Sequence, residues 1–330
     1  VTPAVAKADG VDYLVLPGWK IFMIQFLNIA GTGPIFGAIL GAKFGPVAYL
    51  WIVLGCIFAG ATHDYLSGML SMRNDGASLP ELIGKYLGRN AKMVMLAFTV
   101  LLLIMVGTVF VYSPAEILHS IWGSSLFWII VIFAYYVIAT MLPIDKIIGK
   151  IYPLFAISLL FMAGALMVML FVKMPQLPEL WTHFYNMGAE AEPEKWTDQI
   201  FPCLFITIAC GAISGFHATQ SPLMARCVKS EHMGRPIFYG AMITEGVVAL
   251  IWATVSSWFF YGSPAPGYEL IAAVNTGFST SAPAVVNIVC NDWLGVAGGI
   301  LALLGVVAAP ITSGDTAFRS ARLIIGEWLH

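Results

Sequence analysis

Several side chains that can carry protons lie within strongly apolar stretches of this chain. Glu245 is the clearest, because it stands deep in an apolar run between Thr244 and Gly246. A charged side chain at the centre of a bilayer costs at least about 2.5–3.5 kcal/mol unless it is paired, solvated or neutralised. The protonated form is therefore favoured, and Glu245 is a candidate carrier of a coupling proton. The alternative is a protonated side chain that only joins two helices.

Three more titratable residues stand in or beside apolar stretches. His217 occurs in a Gly-Phe-His-Ala context and could relay a proton or bind substrate, although a lone histidine is often structural. His63 and Asp64 are neighbours, and adjacent helical residues point about 100° apart, so the two need not serve one site. We expect this pair to form a gate or an interhelical contact. The alternative is an anchor at the membrane interface.

A third group combines hydroxyls with a carboxylate. Thr312, Ser313 and Asp315 follow an apolar run, and oxygen ligands of this kind suit a hard cation such as sodium. Asp315 is also an alternative proton site. The competing interpretation is a helix end at which Asp315 pairs with Arg319 at i, i+4.

Two glycine-containing segments indicate where a substrate could bind. Residues 26–34 and 205–211 share the order Phe, two residues, Ile, Ala and then glycine. Unwound backbone in a membrane helix is tolerated only where protein or a water-filled cavity satisfies it, and half-helix N-termini favour a carboxylate. The alternative is that the glycines only allow close packing. The predicted substrate-binding residues are Asn28, Gly31, Thr32, Gly33, Thr207, Gly211 and Ser214.

Composition places these residues in a membrane. The chain is 59% hydrophobic and only 10% charged, with a mean hydropathy of +0.85. Since about 20 apolar residues span a bilayer, we predict an all-α polytopic protein with about eight transmembrane helices. The predicted spans are 20–40, 46–70, 93–113, 125–142, 149–172, 200–218, 237–261 and 294–313, with a patch at 281–290 judged too short to span.

The positions of Lys and Arg set the expected orientation. With a cytoplasmic N-terminus, 13 of the 16 Lys and Arg fall on the inner side, including Arg319 and Arg322 after the last span. This is the asymmetry of the positive-inside rule. The opposite orientation would invert it.

The two interrupted segments fall in spans one and six. Five spans separate them, so the halves would be antiparallel, as in the LeuT-type inverted repeat with broken helices one and six. We predict one transmembrane domain over 1–330, a first repeat at 20–172 and an incomplete second repeat at 200–330. We therefore expect this chain to be part of a longer protein.

Four runs of the sequence resemble a known protein family. The runs DGVDYLVLPGWKIF, FLNIAGTGPIFGAILGA, FITIACGAISGFHA and SGDTAFRSARLI resemble the carbon starvation protein A family along most of the chain. The resemblance implies a bacterial inner-membrane peptide or pyruvate transporter, linked to carbon starvation and distantly similar to amino acid, polyamine and organocation transporters.

The predicted function is secondary transport of a small carboxylate-bearing nutrient, coupled to a proton or sodium gradient. No P-loop, zinc cluster or nucleophile elbow is present, so we expect no enzyme activity, no cofactor and no nucleic-acid partner. The oligomeric state is left open. Two rivals are a channel or nutrient sensor with the same pocket, and a membrane enzyme with a metal held by His63, Asp64 and His217.

Overall fold

The fold was obtained as a computed structural model. It describes residues 1–10, 12–141, 144–191, 199–211, 216–262 and 281–329. All regular secondary structure in these ranges is helical. The all-α prediction is therefore confirmed for the described part of the chain.

Thirteen helices are assigned along the described ranges. The short helices α1 (Pro3–Ala6), α5 (Leu79–Leu87) and α9 (Met187–Ala191) do not reach across a bilayer. The first half of the chain also contains α2 (Gly18–Ala30), α3 (Gly33–Ala42), α4 (Val47–Arg73), α6 (Arg89–Ile121), α7 (Ser125–Met141) and α8 (Ile144–Lys173). The second half contains α10 (Ile200–Leu204 with Phe205–Gly211), α11 (His217–Ala225), α12 (Glu231–Tyr261) and α13 (Ala282–Leu329).

Several of these helices are long and apolar enough to cross a membrane. Four meet length and hydropathy criteria over Val47–Arg73, Arg89–His119, Tyr152–Lys173 and Glu231–Tyr261, and α2 with α3 makes a fifth if the pair is one span. The chain is a polytopic membrane protein. The count of eight spans and the inverted repeat stay predictions.

The first predicted span is broken between α2 and α3. The two helices are bent by 50° across residues 31 and 32. Gly31 has φ of 49°, in the left-handed region that glycine adopts without strain. A Cβ atom there would also lie 2.9 Å from the Phe110 ring, so this position requires glycine for two reasons.

In the second interrupted segment, α10 ends at Gly211 and α11 begins at His217. Residues 212–215, including Ser214, lie outside the described residues. Helix α11 runs antiparallel to α2. Leu14 and Leu16 donate backbone hydrogen bonds to Arg226 and Cys227, while Gln25 contacts Ser221 further along. On the other side of the break, α3 packs against α10.

Helix α13 corrects one sequence prediction. The patch at 281–290 forms the first part of this helix, which bends at Gly295 (φ 67°). The helix then continues to Leu329, so the end predicted at residue 313 is wrong. Arg319, expected in a cytoplasmic loop, is fully buried. The hydrogen bonds made by Ser313, Thr316 and Arg319 explain how a polar stretch remains helical among other helices.

Candidate functional site

The break between α2 and α3 joins two polar elements. Ser313 of α13 donates to the Asn28 carbonyl oxygen at 2.8 Å, with the Leu27 carbonyl oxygen at 3.4 Å. Both carbonyls belong to the last turn of α2, where helical partners run out, although Leu27 still accepts the backbone N–H of Gly31 at 3.3 Å. Ser313 also lies 2.9 Å from the Ala309 carbonyl oxygen of its own helix. A hydroxyl and carbonyl oxygens thus meet at the break, and oxygen atoms are the ligands that a hard cation prefers.

Thr312, which the sequence grouped with Ser313, makes a different contact. Its hydroxyl donates to the Ala309 carbonyl oxygen at 2.8 Å, within α13. Asp315 follows Ser313 by two residues, which turns the two side chains about 200° apart around the helix axis. Asp315 therefore points away from the break. The structure therefore brings Ser313 alone of these three side chains to the broken helix.

Two buried amides lie beside the break. The Asn28 side chain is fully buried, and neither of its amide atoms has a hydrogen-bond partner in the described part of the chain. The same holds for Gln220 on α11, which packs against α2. A buried amide without partners costs about 1–3 kcal/mol, so an added polar molecule would be stabilised here.

The other predicted substrate residues are placed around the same break. Thr32 is buried immediately before α3, and Gly33 begins that helix. Thr207 donates its hydroxyl to the Cys203 carbonyl oxygen within α10, and Gly211 is the last residue of that helix. The two halves of the predicted site thus end close to the crossing of α2, α3, α10 and α11.

Asp64 is the centre of a buried hydrogen-bond network. Gln25 Nε2 donates to its two carboxylate oxygens at 3.0 and 3.1 Å and lies 3.1 Å from Ser221 Oγ. Ser221 Oγ is within hydrogen-bond distance of Asp64 and lies 2.6 Å from the His217 carbonyl oxygen. Serine has one hydroxyl hydrogen, so a single donor faces two acceptors if Asp64 is ionised. A protonated Asp64 removes the conflict, because it donates to Ser221 and Ser221 then donates to His217.

His63 and His217 form a direct hydrogen bond. His63 Nδ1 lies 2.7 Å from His217 Nε2, and the rings meet edge to face with centroids 4.8 Å apart. His63 is exposed and His217 is buried. Although His63 and Asp64 leave α4 in different directions, both reach α11, so the two neighbours serve one interface.

The geometry does not support the metal-enzyme rival. Asp64 contacts Gln25 and Ser221 rather than the imidazoles, and the described residues contain no group of three metal-binding side chains. A tetrahedral zinc ion between His63 and His217 would hold their nitrogens roughly 3.3 Å apart, given bonds of about 2.0–2.1 Å. The observed 2.7 Å is a hydrogen-bond distance.

Glu245 lies in the interior of α12. The side chain is fully buried, and neither carboxylate oxygen has a hydrogen-bond partner among the residues that the structure describes. It is close enough to Asp64 and Cys56 for electrostatic interaction. Two acidic groups therefore share one apolar region, and their mutual repulsion disfavours ionisation of both.

Asp315 occupies a separate polar cluster. The Tyr152 hydroxyl of α8 donates to Asp315 Oδ2 at 2.5 Å. Arg319, one turn along α13, interacts electrostatically with Asp315 and donates to the Ala139 carbonyl oxygen of α7 at 3.0 Å. This carboxylate has both a hydrogen-bond donor and a cation within its surroundings.

Sequence reasoning missed several members of these networks. The unassigned residues are Gln25, Tyr152, Gln220 and Ser221. Gln25 could have been found, because it is a polar side chain within the apolar run IFMIQFL. Tyr152 could not, since a tyrosine in an apolar helix gives no indication of the partner that its hydroxyl reaches.

The sequence is similar to those of known proteins. The family described as "Carbon starvation protein CstA" matches over residues 1–125 and 113–287. An "Uncharacterized membrane protein" of Haemophilus influenzae is 47% identical over 319 residues, covering 82% of this chain and 86% of that protein. The match therefore extends over most of both chains.

Named transporters are also similar. The "Peptide transporter CstA" of Escherichia coli is 28% identical over 76% of this chain, and the "Pyruvate/proton symporter BtsT" of the same organism is 27% identical over 76%. The chain spans 44% and 43% of their respective lengths, less than half of each. These names describe transporters rather than enzymes. Because the family match covers most of the sequence and its 47% identical relative is of similar extent, the chain belongs to the carbon starvation protein CstA family.

Proposed function

We propose that the protein is a secondary transporter that couples movement of a small carboxylate-bearing nutrient to movement of protons. The observation that carries the proposal is the buried pair Asp64 and Glu245, which interact electrostatically and form no ion pair in the described part of the chain. Such a pair is stable in the membrane interior only while protons neutralise it. Loss of a proton would therefore change the packing around it.

The substrate would bind at the break between α2 and α3. The Asn28 and Gln220 amides can each donate to a carboxylate, and backbone N–H groups that begin α3 favour negative charge. Asp64 lies on the same inner surface, because Gln25 of α2 and Ser221 of α11 both contact it. Proton and substrate sites would thus share helices α2 and α11.

Pyruvate and short peptides are the substrates that the relatives suggest. One named relative is a pyruvate/proton symporter and another a peptide transporter. A role during carbon starvation, a bacterial inner-membrane location and a cytoplasmic N-terminus belong to the same proposal. A channel or nutrient sensor with this pocket is the second candidate.

Sodium coupling has one specific observation in its favour. Ser313 Oγ and the carbonyl oxygens of Leu27 and Asn28 meet where α13 contacts the end of α2. Protons are favoured over sodium because Asp64 and Glu245, two buried carboxyl groups that lie close enough to interact, form no ion pair in the described part of the chain. Separate ion gradients distinguish the two possibilities.

The test is uptake of labelled pyruvate and a labelled dipeptide by the full chain in proteoliposomes. Proton and sodium gradients are imposed one at a time. With one-to-one coupling, an inward gradient of about one pH unit should concentrate the solute about tenfold. Glu245→Gln should abolish that accumulation.

Glu231→Gln is the matched control. It lies at the exposed start of the same helix, where Glu231 pairs with Arg73 at 3.0 Å, and should accumulate solute as the unmodified protein does. Accumulation of either solute driven by a sodium gradient alone would contradict proton coupling. Binding of either solute without accumulation under any gradient would favour the channel or sensor.

A further inference from the structure

The hydrogen-bonded histidines couple an exposed side chain to a buried one. His63 on α4 is exposed, whereas the His217 side chain on α11 is 3% exposed. Their ring nitrogens are 2.7 Å apart, within the range of a strong hydrogen bond. The pair therefore connects the outer surface of the helix bundle to a buried histidine.

The bond limits how many protons the pair can hold. In a neutral pair one ring donates its N–H and the other accepts with its lone pair. One added proton leaves this arrangement intact, since the added proton occupies an outer nitrogen. A second added proton would turn both facing nitrogens into donors and break the bond. The pair is therefore a site for one exchangeable proton.

The elements around the pair carry charged groups of both signs. The acidic groups include Asp64 of α4, Glu245 of α12 and Asp315 of α13, and the basic groups include Arg319 of α13, which packs against α11. Helix α2 contributes the neutral Gln25. Ser67 Oγ lies 3.4 Å from His63 Nδ1, and Arg226 at the end of α11 donates to the Gly76 carbonyl oxygen. A cationic histidine pair would be attracted by an ionised Asp64, the neighbour of His63 in α4.

The pair and Asp64 also share a helix. Ser221 contacts Asp64 with its hydroxyl and reaches the backbone of His217, one turn away on α11. His63 and Asp64 are consecutive in α4. Movement of α11 relative to α4 would therefore act on both contacts together.

We propose that His63 and His217 form a loading site for one coupling proton, next to the Asp64 network. A proton adds to the lone pair of an outer nitrogen of the neutral pair and gives an imidazolium, and the same N–H bond breaks when the proton is released, which restores the neutral pair. No other bond changes. This inference rests on the proposed proton-coupled transport.

The first test compares His63→Gln and His217→Gln in proteoliposomes. Proton-driven uptake is measured beside substrate exchange at equal pH, which requires no net proton movement. Both variants should lower the ratio of uptake to exchange at least about tenfold, as expected when a proton-transfer group is removed. His232→Gln is the control, because His232 is exposed in the turn at the start of α12, and its ratio should equal that of the unmodified protein.

An unchanged ratio in His63→Gln, while the unmodified protein concentrates substrate, would overturn the loading site and leave the proposed function intact. Absence of proton-driven uptake in the unmodified protein, with exchange preserved, would overturn both.

A second measurement needs no substitution. In the full chain labelled with ¹⁵N-histidine, a scalar coupling across the N–H···N bond should connect one Nδ1 to one Nε2. Lowering the pH should add one proton to this pair before the coupling disappears. Absence of the coupling in the folded protein, or its loss with the first added proton, would overturn the proposal.

Discussion

Two buried acidic regions of this protein differ in what surrounds the carboxylates. Asp315 accepts a 2.5 Å hydrogen bond from Tyr152 and interacts with Arg319. Asp64 receives hydrogen bonds but interacts with another acid, Glu245, whose oxygens have no partner in the described part of the chain. One carboxyl group has a hydrogen-bond donor and a cation in its surroundings, whereas the other two lie close to each other.

We therefore distinguish charges that stabilise the fold from charges that change when a proton is bound or released. The Asp315 cluster joins α13 to α7 and α8, and its charges compensate each other. The acidic pair joins α4 and α12 beside the broken helix. Proton binding changes the net charge of the second region by a full unit. For this reason we assign coupling to Asp64 and Glu245 rather than to Asp315.

Loss of Arg319 should have the largest effect on stability. Arg319→Met removes a buried cation that interacts electrostatically with Asp315 and donates to the Ala139 carbonyl oxygen, and loss of one member of a buried pair of opposite charges costs about 3–5 kcal/mol. The free energy of unfolding in detergent micelles is the measurement. Arg322→Met is the control, because Arg322 is partly exposed and lies 3.6 Å from Asp12; its cost should stay within about 1 kcal/mol. Equal costs for the two variants would show that Arg319 is not part of a buried pair.

Tyr152→Phe should have the next largest effect. It removes only the hydroxyl that donates to Asp315 and keeps the ring. A hydrogen bond to a charged group contributes about 1.5–3 kcal/mol, so the variant should unfold more easily by that amount. Tyr49→Phe, which removes a hydroxyl paired with neutral Ser257 at 3.1 Å, should cost only about 0.5–1.5 kcal/mol. A smaller loss in Tyr152→Phe than in this control would indicate a neutral Asp315.

The sequence predicted the break in the first span because its cause is local. Gly31, Gly33 and Pro34 disfavour regular helix whatever surrounds them. This feature depends on residue type alone.

Features that depend on partners from distant segments were not predicted. The polar run from Thr312 to Arg319 resembles a helix end, and only contacts with Tyr152 and Ala139 show why the helix continues. Likewise, the 100° between His63 and Asp64 suggested separate roles. Both side chains instead converge on α11, which hydropathy and helical periodicity do not reveal.

Ser221→Ala tests the protonation state of Asp64. The hydroxyl lies between Asp64 and the His217 carbonyl oxygen. If Asp64 is neutral, the loss is that of an ordinary hydrogen bond, about 0.5–1.5 kcal/mol. The free energy of unfolding measured near neutral pH decides this. A loss of 1.5–3 kcal/mol, expected for a bond to a charged group, would place a permanent charge on Asp64 and make the two acidic regions alike.

Glu245→Gln should change stability least, and Asp315→Asn is its counterpart in the other region. Glutamine has the shape of protonated Glu245, so the free energy of unfolding should stay within about 1 kcal/mol while proton-driven uptake is lost. Asparagine at 315 leaves Arg319 buried without its anion and should cost about 3–5 kcal/mol. The same chemical change, an acid to its amide, thus distinguishes a carboxyl that is neutral in the fold from one that is charged. If Glu245→Gln were as costly as Asp315→Asn, Glu245 would be ionised and partnered, and its assignment to proton coupling would be wrong.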